Sequence, residues 1–252
     1  MGFPMGGGDK RSVRLEELTW VEAERVFKEY EVVLIPLGAR TKEHGPHMPL
    51  NTDWLMAEYL AERVAAEVPV VVMPTIQYGY YPAFLEYPGS VSIDREIFKE
   101  FVKGICLSLA RHGVRKLYIL NTGVSTLQPL KEAAEELISE GIRLRYTDIS
   151  EVGREVRMQV QEQEGGTHAD ELETSVMLYI KPEVVDMSRA VKDYHPLGGR
   201  GLTRNPKRRD AGAYSPTGIF GDPTLASREK GRLIIEAMIR DIVSEINELI
   251  EE

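Results

Sequence analysis

The sequence contains a single cysteine, Cys106, and this scarcity excludes an internal disulfide. A lone thiol in an apolar helical pattern is typical of a buried, inert side chain, so we expect a reducing compartment, the cytoplasm. No stretch reaches the roughly 18 apolar residues of a membrane helix, which argues against a membrane partner. Residues 1–10 are rich in glycine and lack an apolar signal core, and we expect them to form a flexible tail.

Positive charge is also scarce. Lysine and arginine total 31 residues against 40 aspartates and glutamates, which gives a net charge of -9. Because phosphate binding needs a basic face, this balance argues against a nucleic-acid partner and leaves a small-molecule substrate open. One basic run indicates a solvated loop or, alternatively, a clamp for a phosphate or carboxylate. It consists of Arg200, Arg204, Lys207, Arg208 and Arg209.

Apolar runs alternate with helical periodicity along most of the chain. Short apolar runs at 32–37, 68–73, 116–120 and 142–146 predict strands. The predicted helices are 19–29, 53–66, 94–111, 128–139, 150–163, 169–180 and 227–252. This alternation predicts an α/β fold, a three-layer α/β/α arrangement with a mostly parallel central sheet, in a single domain over residues 11–252.

The loop after the first strand is the first candidate site, since ligands of open α/β sheets bind beyond the carboxyl ends of the strands. Its residues Glu43, His44, His47 and Asp53 bring two imidazoles and two carboxylates into one turn-rich stretch. Such nitrogen and oxygen donors suit zinc, manganese or iron. The alternative is a capped helix start near Asp53, in which the histidines bond to the backbone.

A second group of chemically active residues lies at the start of the predicted helix 169–180. His168 precedes this helix and Glu173 stands in its first turns, so both side chains can point toward the opening of the same pocket. The structural alternative is that His168 bonds to a carbonyl and Glu173 pairs with a surface arginine.

Aromatic side chains are dense in the loop 78–89, which also carries Phe84 and Glu86. Flat rings beside a carboxylate suit a planar or cationic ligand. The alternative is that these rings pack between subunits.

Three motifs, in the same order along the chain, resemble those of the creatininase family. They are Glu43-His44-Gly45-Pro46-His47 leading to Asp53, then His168-Ala169 with Glu173-Thr174-Ser175, and the run from Gly218 to Ala226. The resemblance implies a creatininase-like fold and hydrolysis of an amide or cyclic-amide C–N bond by a water held between two divalent metal ions. It also implies a homo-oligomer, often a hexamer, for which the aromatic loop and the apolar final helix offer surface.

The sequence departs from the family pattern in part of its metal-ligand set. Lys42 stands where the family has a glutamate, and Glu43 could take over that role. Gly123 and Ser125 stand where the family has a ligand histidine and a second ligand. We therefore expect one divalent ion (zinc, manganese or iron) rather than two. The alternative is that no metal binds and the Lys42 ammonium balances the charge of the carboxylates instead.

The remaining residues define the expected site. Its metal ligands are predicted to be Glu43, His44, Asp53 and Glu173, with His168 and Glu173 as the catalytic residues. In this hypothesis His168 donates a proton to the leaving nitrogen. The predicted function is a metal-dependent amidohydrolase with a small polar substrate. The alternative is a non-catalytic binding or assembly protein that has lost the two-metal site.

Overall fold

The computed structural model describes residues 11–195, 201–208 and 212–252. The predicted tail, together with Arg200 and Arg209 of the basic run, lies outside the described residues. A five-stranded parallel sheet has the order β1-β3-β2-β4-β5. Its strands are Val13–Arg14 (β1), Val32–Leu37 (β2), Val71–Val72 (β3), Lys116–Asn121 (β4) and Arg143–Tyr146 (β5). A separate parallel pair consists of Leu202–Thr203 (β6) and Ala213–Tyr214 (β7).

Helices cover both faces of the sheet. They are Trp20–Glu29 (α1), Thr52–Glu67 (α2), Arg95–Ala110 (α3), Leu127–Leu137 (α4), Arg154–Val160 (α5), Glu171–Ile180 (α6) and Arg228–Glu251 (α7). In the part of the chain that the structure describes, no helix is long and apolar enough to cross a membrane.

Alternate residues of β2 divide the interior into two apolar cores, because successive side chains of a strand point to opposite faces. Val33 and Ile35 pack on the side of α1, α3 and α4. Val32 and Leu34 pack on the side of α2, α6 and α7. This arrangement confirms the predicted α/β/α layers and the parallel sheet. Cys106 is buried in the first of these cores, as expected.

Two predicted elements are shorter in the structure. The apolar run 68–73 forms a strand only at Val71–Val72, since Val68 still closes the last turn of α2. The helix predicted at 150–163 begins at Arg154, because Gly153 adopts a left-handed conformation and donates its backbone N–H to Asp241. The strand β1 was not predicted, because its two residues are too few for a periodicity signal.

The fold places a crevice between β2 and β4. These neighbouring strands are followed by α2 and α4, which lie on opposite faces of the sheet, so the loops diverge at the carboxyl edge. Gly38 lets α2 start against the strand end, since an added Cβ would lie 2.3 Å from the carbonyl oxygen of Asp53. The Thr122 hydroxyl bonds to that same carbonyl at 3.2 Å, which ties both loops together.

Candidate active site

Asp53 is the centre of the buried polar cluster in this crevice, with 1% of its surface exposed. Its Oδ2 atom lies 2.6 Å from Lys42 Nζ, and its Oδ1 atom lies 2.9 Å from His44 Nε2. The other ring nitrogen of His44 lies 2.9 Å from the Lys42 carbonyl oxygen. Burial raises the pKa of Asp53, but Lys42 and His44 outweigh burial and hold that pKa well below its ordinary value.

His168 and Glu43 form a second buried pair. His168 Nε2 lies 2.7 Å from Glu43 Oε1, and the backbone N–H of Gly45 donates to Glu43 Oε2 at 2.9 Å. Burial raises the pKa of Glu43, but His168 and the Gly45 N–H bring it below its ordinary value. Burial lowers the pKa of His168, but the charge and hydrogen bond of Glu43 bring it above its ordinary value. The pair therefore favours an imidazolium beside a carboxylate.

Gly218 makes room for the Glu43 carboxylate. An added Cβ at this position would lie 2.0 Å from Glu43 Oε2, and the backbone φ of 86° lies in the left-handed region that favours glycine. The third motif of the sequence thus supports the first one through a contact that the one-dimensional pattern could not reveal.

Glu173 is the member of the cluster that reaches solvent, with 30% of its side chain exposed. Its Oε2 atom accepts a hydrogen bond from the backbone N–H of Ala169 at 2.6 Å and lies 3.6 Å from His168 Nδ1. Ala169 itself adopts a φ of 48°, a conformation unusual for a residue with a side chain. Asp170 caps α6 by accepting from the backbone N–H groups of Leu172 and Glu173. This start of α6 fixes His168 and Glu173 side by side.

Aromatic rings close the other side of the cluster. The Phe84 and His168 ring centroids are 4.4 Å apart, and Lys42 Nζ lies 4.9 Å from the Phe84 centroid and 5.6 Å from that of Tyr81. The aromatic loop therefore lies at the site, as predicted. The cation that its rings face is the Lys42 ammonium and not a ligand. Glu86 instead holds the segment after β6, through the Thr203 hydroxyl and the backbone N–H of Arg204.

The turn after β4 closes on itself. Asn121 donates to the Gly123 carbonyl at 2.7 Å and accepts from the Thr126 hydroxyl at 2.6 Å. An added Cβ at Gly123 would lie 3.1 Å from the Tyr81 ring and from the Thr126 hydroxyl. The space beside this turn is therefore taken by Tyr81.

The helix-cap alternative for the first loop does not describe the structure. Asn51 occupies the N-cap position of α2 and makes no side-chain capping bond there. His47 Nε2 lies 2.8 Å from the Thr174 hydroxyl, which joins the first loop to α6. Burial, the largest influence, and the nearby His44 together lower the pKa of His47 to about 4.

Comparison with known proteins identifies the family to which this chain belongs. The model of the family described as creatininase, creatinine amidohydrolase, matches residues 16–246. The chain belongs to the creatininase family. It is 32% identical to the creatinine amidohydrolase of Pseudomonas putida, over 94% of this chain and 97% of that protein. It is 30% identical to the mycofactocin precursor peptide peptidase of Mycobacterium ulcerans, over 92% of this chain and 91% of that protein.

A solved creatininase structure has the same fold. The structure described as "Creatininase Mn" has a TM-score of 0.79 with this chain at 30% sequence identity, and the alignment covers 94% of this chain and 98% of the other. The expected creatininase-like fold is therefore confirmed.

Donor atoms of this creatininase-family site lie close enough together to hold a divalent metal ion. Two ligand atoms on one zinc-like ion, each about 2.0–2.2 Å from it, are separated by about 3–3.6 Å. His44 Nε2 and Asp53 Oδ1 are 2.9 Å apart. Ligand atoms of His44, His168 and Glu173 all lie within 4.8 Å of one another. The Nδ1 atom of His44 faces a carbonyl oxygen, which is the usual way to orient a ligand imidazole.

The other carboxylate oxygens of the cluster already have partners within the chain. Asp53 Oδ2, which a second ion would need, already pairs with Lys42. Glu43, the expected substitute for the family's glutamate, directs its carboxylate at His168 and Gly45. Gly123 offers no side-chain donor.

Proposed function

We propose that this chain hydrolyses the C–N bond of a small polar amide with the help of one divalent metal ion. The observation that carries the proposal is the convergence of His44, Asp53, His168 and Glu173 in the crevice between β2 and β4 of a creatininase-family fold. The relatives support the reaction class, since creatinine amidohydrolase and a precursor peptide peptidase are both named for hydrolysis of C–N bonds.

His44, Asp53 and Glu173 are the proposed ligands, and Mn²⁺ and Zn²⁺ are the ions that suit them. The structure described as "Creatininase Mn" supports this choice. A bound ion of this kind lowers the pKa of its water toward about 7 and polarises the carbonyl of the substrate. With Nδ1 donating to the Lys42 carbonyl, His44 would present the lone pair of Nε2 to the ion.

Glu173 and His168 are the proposed catalytic residues. Glu173 combines partial exposure with a fixed Oε2 atom, so its carboxylate can orient the attacking water. His168 is anchored through Nε2 to Glu43, which leaves Nδ1 facing Glu173 and the reacting groups. From that position Nδ1 can deliver a proton to the leaving nitrogen. Glu43, which the sequence predicted as a metal ligand, is proposed to position His168 instead.

The substrate is proposed to approach past Glu173. Two surface cavities of about 680 and 570 Å³ lie beside β5 and beside Arg40, and neither is lined by Glu173, His168 or His44. Asp53 and His44 are almost fully enclosed.

We also propose a cytoplasmic location, which the buried thiol of Cys106 suits, and self-association of the chain.

Glu173→Gln tests the proposal, because it removes the carboxylate and retains the shape of the side chain. With Mn²⁺ or Zn²⁺ supplied, we expect the wild type to hydrolyse at least one member of a panel, either by opening the ring of creatinine to the linear acid or by releasing an amine from formylated amines or short peptides. The variant should lose about 100-fold or more in kcat/KM. A chelator should abolish the wild-type activity.

Glu183→Gln is the matched control, since Glu183 is an exposed glutamate that pairs with Lys181. Its activity should equal that of the wild type. The absence of hydrolysis across the panel with the ion present, or equal activity of the two variants, would contradict the proposal.

A further inference from the structure

Lys42 is a buried cation at the centre of the site. Only 5% of its surface is exposed. A lysine ammonium is strongly hydrated in water, so its burial is costly unless charge and polarisable surface surround it. Asp53 supplies the charge at 2.6 Å, and the Phe84 and Tyr81 rings supply faces at 4.9 and 5.6 Å. The ammonium thus has a built enclosure.

Asp53 uses its two oxygens on two different partners. Oδ1 faces His44 Nε2, the proposed ligand atom, and Oδ2 faces Lys42 Nζ. The carboxylate therefore stands between the proposed ion on one side and the ammonium on the other. In a two-metal site a bridging carboxylate stands between two ions in the same way.

Tyr81 fills the space on the Lys42 side of the cluster. Its ring packs against Gly123, where an added Cβ would lie 3.1 Å from Tyr81 Cε1. A larger donor side chain at position 123 would require this ring to move. The identities of Lys42, Gly123 and Tyr81 therefore fit together. The Tyr81 ring fills the space that a donor side chain at position 123 would need, and the centroid of this ring lies 5.6 Å from the Lys42 ammonium.

We propose that the Lys42 ammonium is a built-in replacement for a second metal ion, so that Asp53 is shared by one divalent ion and one fixed ammonium. The inference rests on the proposed function, since it concerns the same site and its single ion. Because the ammonium is covalently attached, Asp53 keeps one cationic partner whether or not metal is supplied.

The number of bound ions tests the inference directly. Purified wild-type protein is first stripped with a chelator, then titrated with Mn²⁺ or Zn²⁺ alone, and bound metal is counted by calorimetry and by elemental analysis after gel filtration. We expect one ion per chain at this site, and a protein that binds no ion would contradict the shared arrangement. Two ions per chain, both lost in Asp53→Asn, would overturn the inference, and this result does not depend on any Lys42 variant being folded.

Lys42→Met removes the ammonium and retains the length of the side chain. In chelator we expect its Tm to fall by about 10 °C, because Asp53 is left buried and unpaired. Added Mn²⁺ should then raise the Tm of Lys42→Met by several degrees more than that of the wild type, since a cation can occupy the vacated place. The double variant Lys42→Met/Asp53→Asn should recover much of the lost Tm without metal.

Lys116→Met is the matched control. Lys116 is another largely buried lysine, and its Nζ atom lies 3.6 Å from the exposed Glu31 and donates to the Ile250 carbonyl at 2.7 Å. Its loss should also lower the Tm, but Mn²⁺ should then add no more than it adds to the wild type. Equal metal recovery in the two lysine variants would overturn the inference. A failure to find any hydrolysed amide would refute the proposed function instead and would leave these metal counts unchanged.

Discussion

His47 has a different electrostatic role from the two histidines of the cluster. His168 faces Glu43 and His44 faces Asp53, so each has a carboxylate partner. His47 instead bonds to the neutral Thr174 hydroxyl, and its Nδ1 atom is buried with no hydrogen-bond partner among the described residues. Burial therefore lowers the pKa of His47 to about 4, and the neutral ring is the form that the fold accommodates.

The free energy of unfolding should depend on this titration. As the pH falls, the unfolded chain takes up the His47 proton near pH 6.5, whereas the folded chain takes it up only near pH 4. Stability is therefore complete above about pH 6.5, is lost between about 6.5 and 4, and levels off below that. The difference between the pKa of His47 in the unfolded chain and in the folded chain corresponds to about 3 kcal/mol of unfolding free energy. Urea unfolding of the wild type and His47→Gln in chelator, from pH 7 to 4, measures it.

Since glutamine stays neutral across this range, the wild type should lose up to about 3 kcal/mol more than His47→Gln on acidification. Parallel stability curves for the two proteins would show that His47 does not contribute to the acid sensitivity.

The residues of the site were predictable from their types, but their pairing was not. Glu43, His44, Asp53, His168 and Glu173 all belong to the cluster that the sequence motifs indicated. The sequence could not decide between Lys42 and Glu43 as the group that faces Asp53, because neighbouring residues of an irregular loop point in different directions. That choice depends on distant contacts, including the bond from the Glu43 backbone N–H to Ser90 and the space at Gly218.

At the level of elements, α6 and α7 pack unusually close. Gly231 in α7 lies against the backbone of α6, and an added Cβ would lie 1.9 Å from the carbonyl oxygen of Ser175. The Ser175 hydroxyl also accepts from the backbone N–H of Ser227, just before α7. This contact fixes the first turns of α6, and with them Glu173.

Gly231→Ala should therefore destabilise the protein although alanine favours helices. The expected loss is about 1–3 kcal/mol or more, because backbone atoms must separate to admit the methyl group. Gly104→Ala in α3 is the control, since nothing lies within 4 Å of its added Cβ. That variant should be stabilised by up to about 1 kcal/mol through helix propensity alone. Chemical denaturation of both variants measures the difference, and a stabilised Gly231→Ala would disprove the close packing.

The long helices and strands were predictable because burial repeats along them with a fixed period. Both β2 and β4 were recognised as apolar runs, and α1, α3 and α7 begin within two residues of their predicted starts. The two-residue strands β1, β6 and β7 were not recognised, because they exist only through pairing with partners distant in sequence. Their positions follow from tertiary contacts and not from a local pattern.

At the scale of the whole molecule, part of the apolar surface expected to mediate self-association is buried. The apolar stripe of α7 packs within the chain against α2 and α6. Tyr81, Phe84 and Tyr87 of the aromatic loop are likewise buried within the chain, whereas Tyr78 and Leu85 of that loop are 50% and 58% exposed. The loop therefore keeps some of the surface that we expected to mediate self-association.

The outer face of α3 also carries exposed apolar side chains. Ile97 and Phe101 stand one helical turn apart and are 64% and 49% exposed. Exposed apolar neighbours of this kind are typical of surfaces that contact another protein, and a second copy of the chain is the partner that the proposed self-association requires. Phe101→Glu places a charge in such a contact and should therefore weaken it.

We expect sedimentation velocity at micromolar concentration to show the wild type as a species larger than the 28.4 kDa chain. Phe101→Glu should shift the protein toward the monomer. Met158→Glu is the control, because Met158 is 69% exposed on α5, a helix that packs against α7 on the opposite side of the sheet. It should leave the sedimentation coefficient unchanged. A wild type that sediments only as the monomer would refute self-association, and an oligomer insensitive to Phe101→Glu would move the interface away from α3.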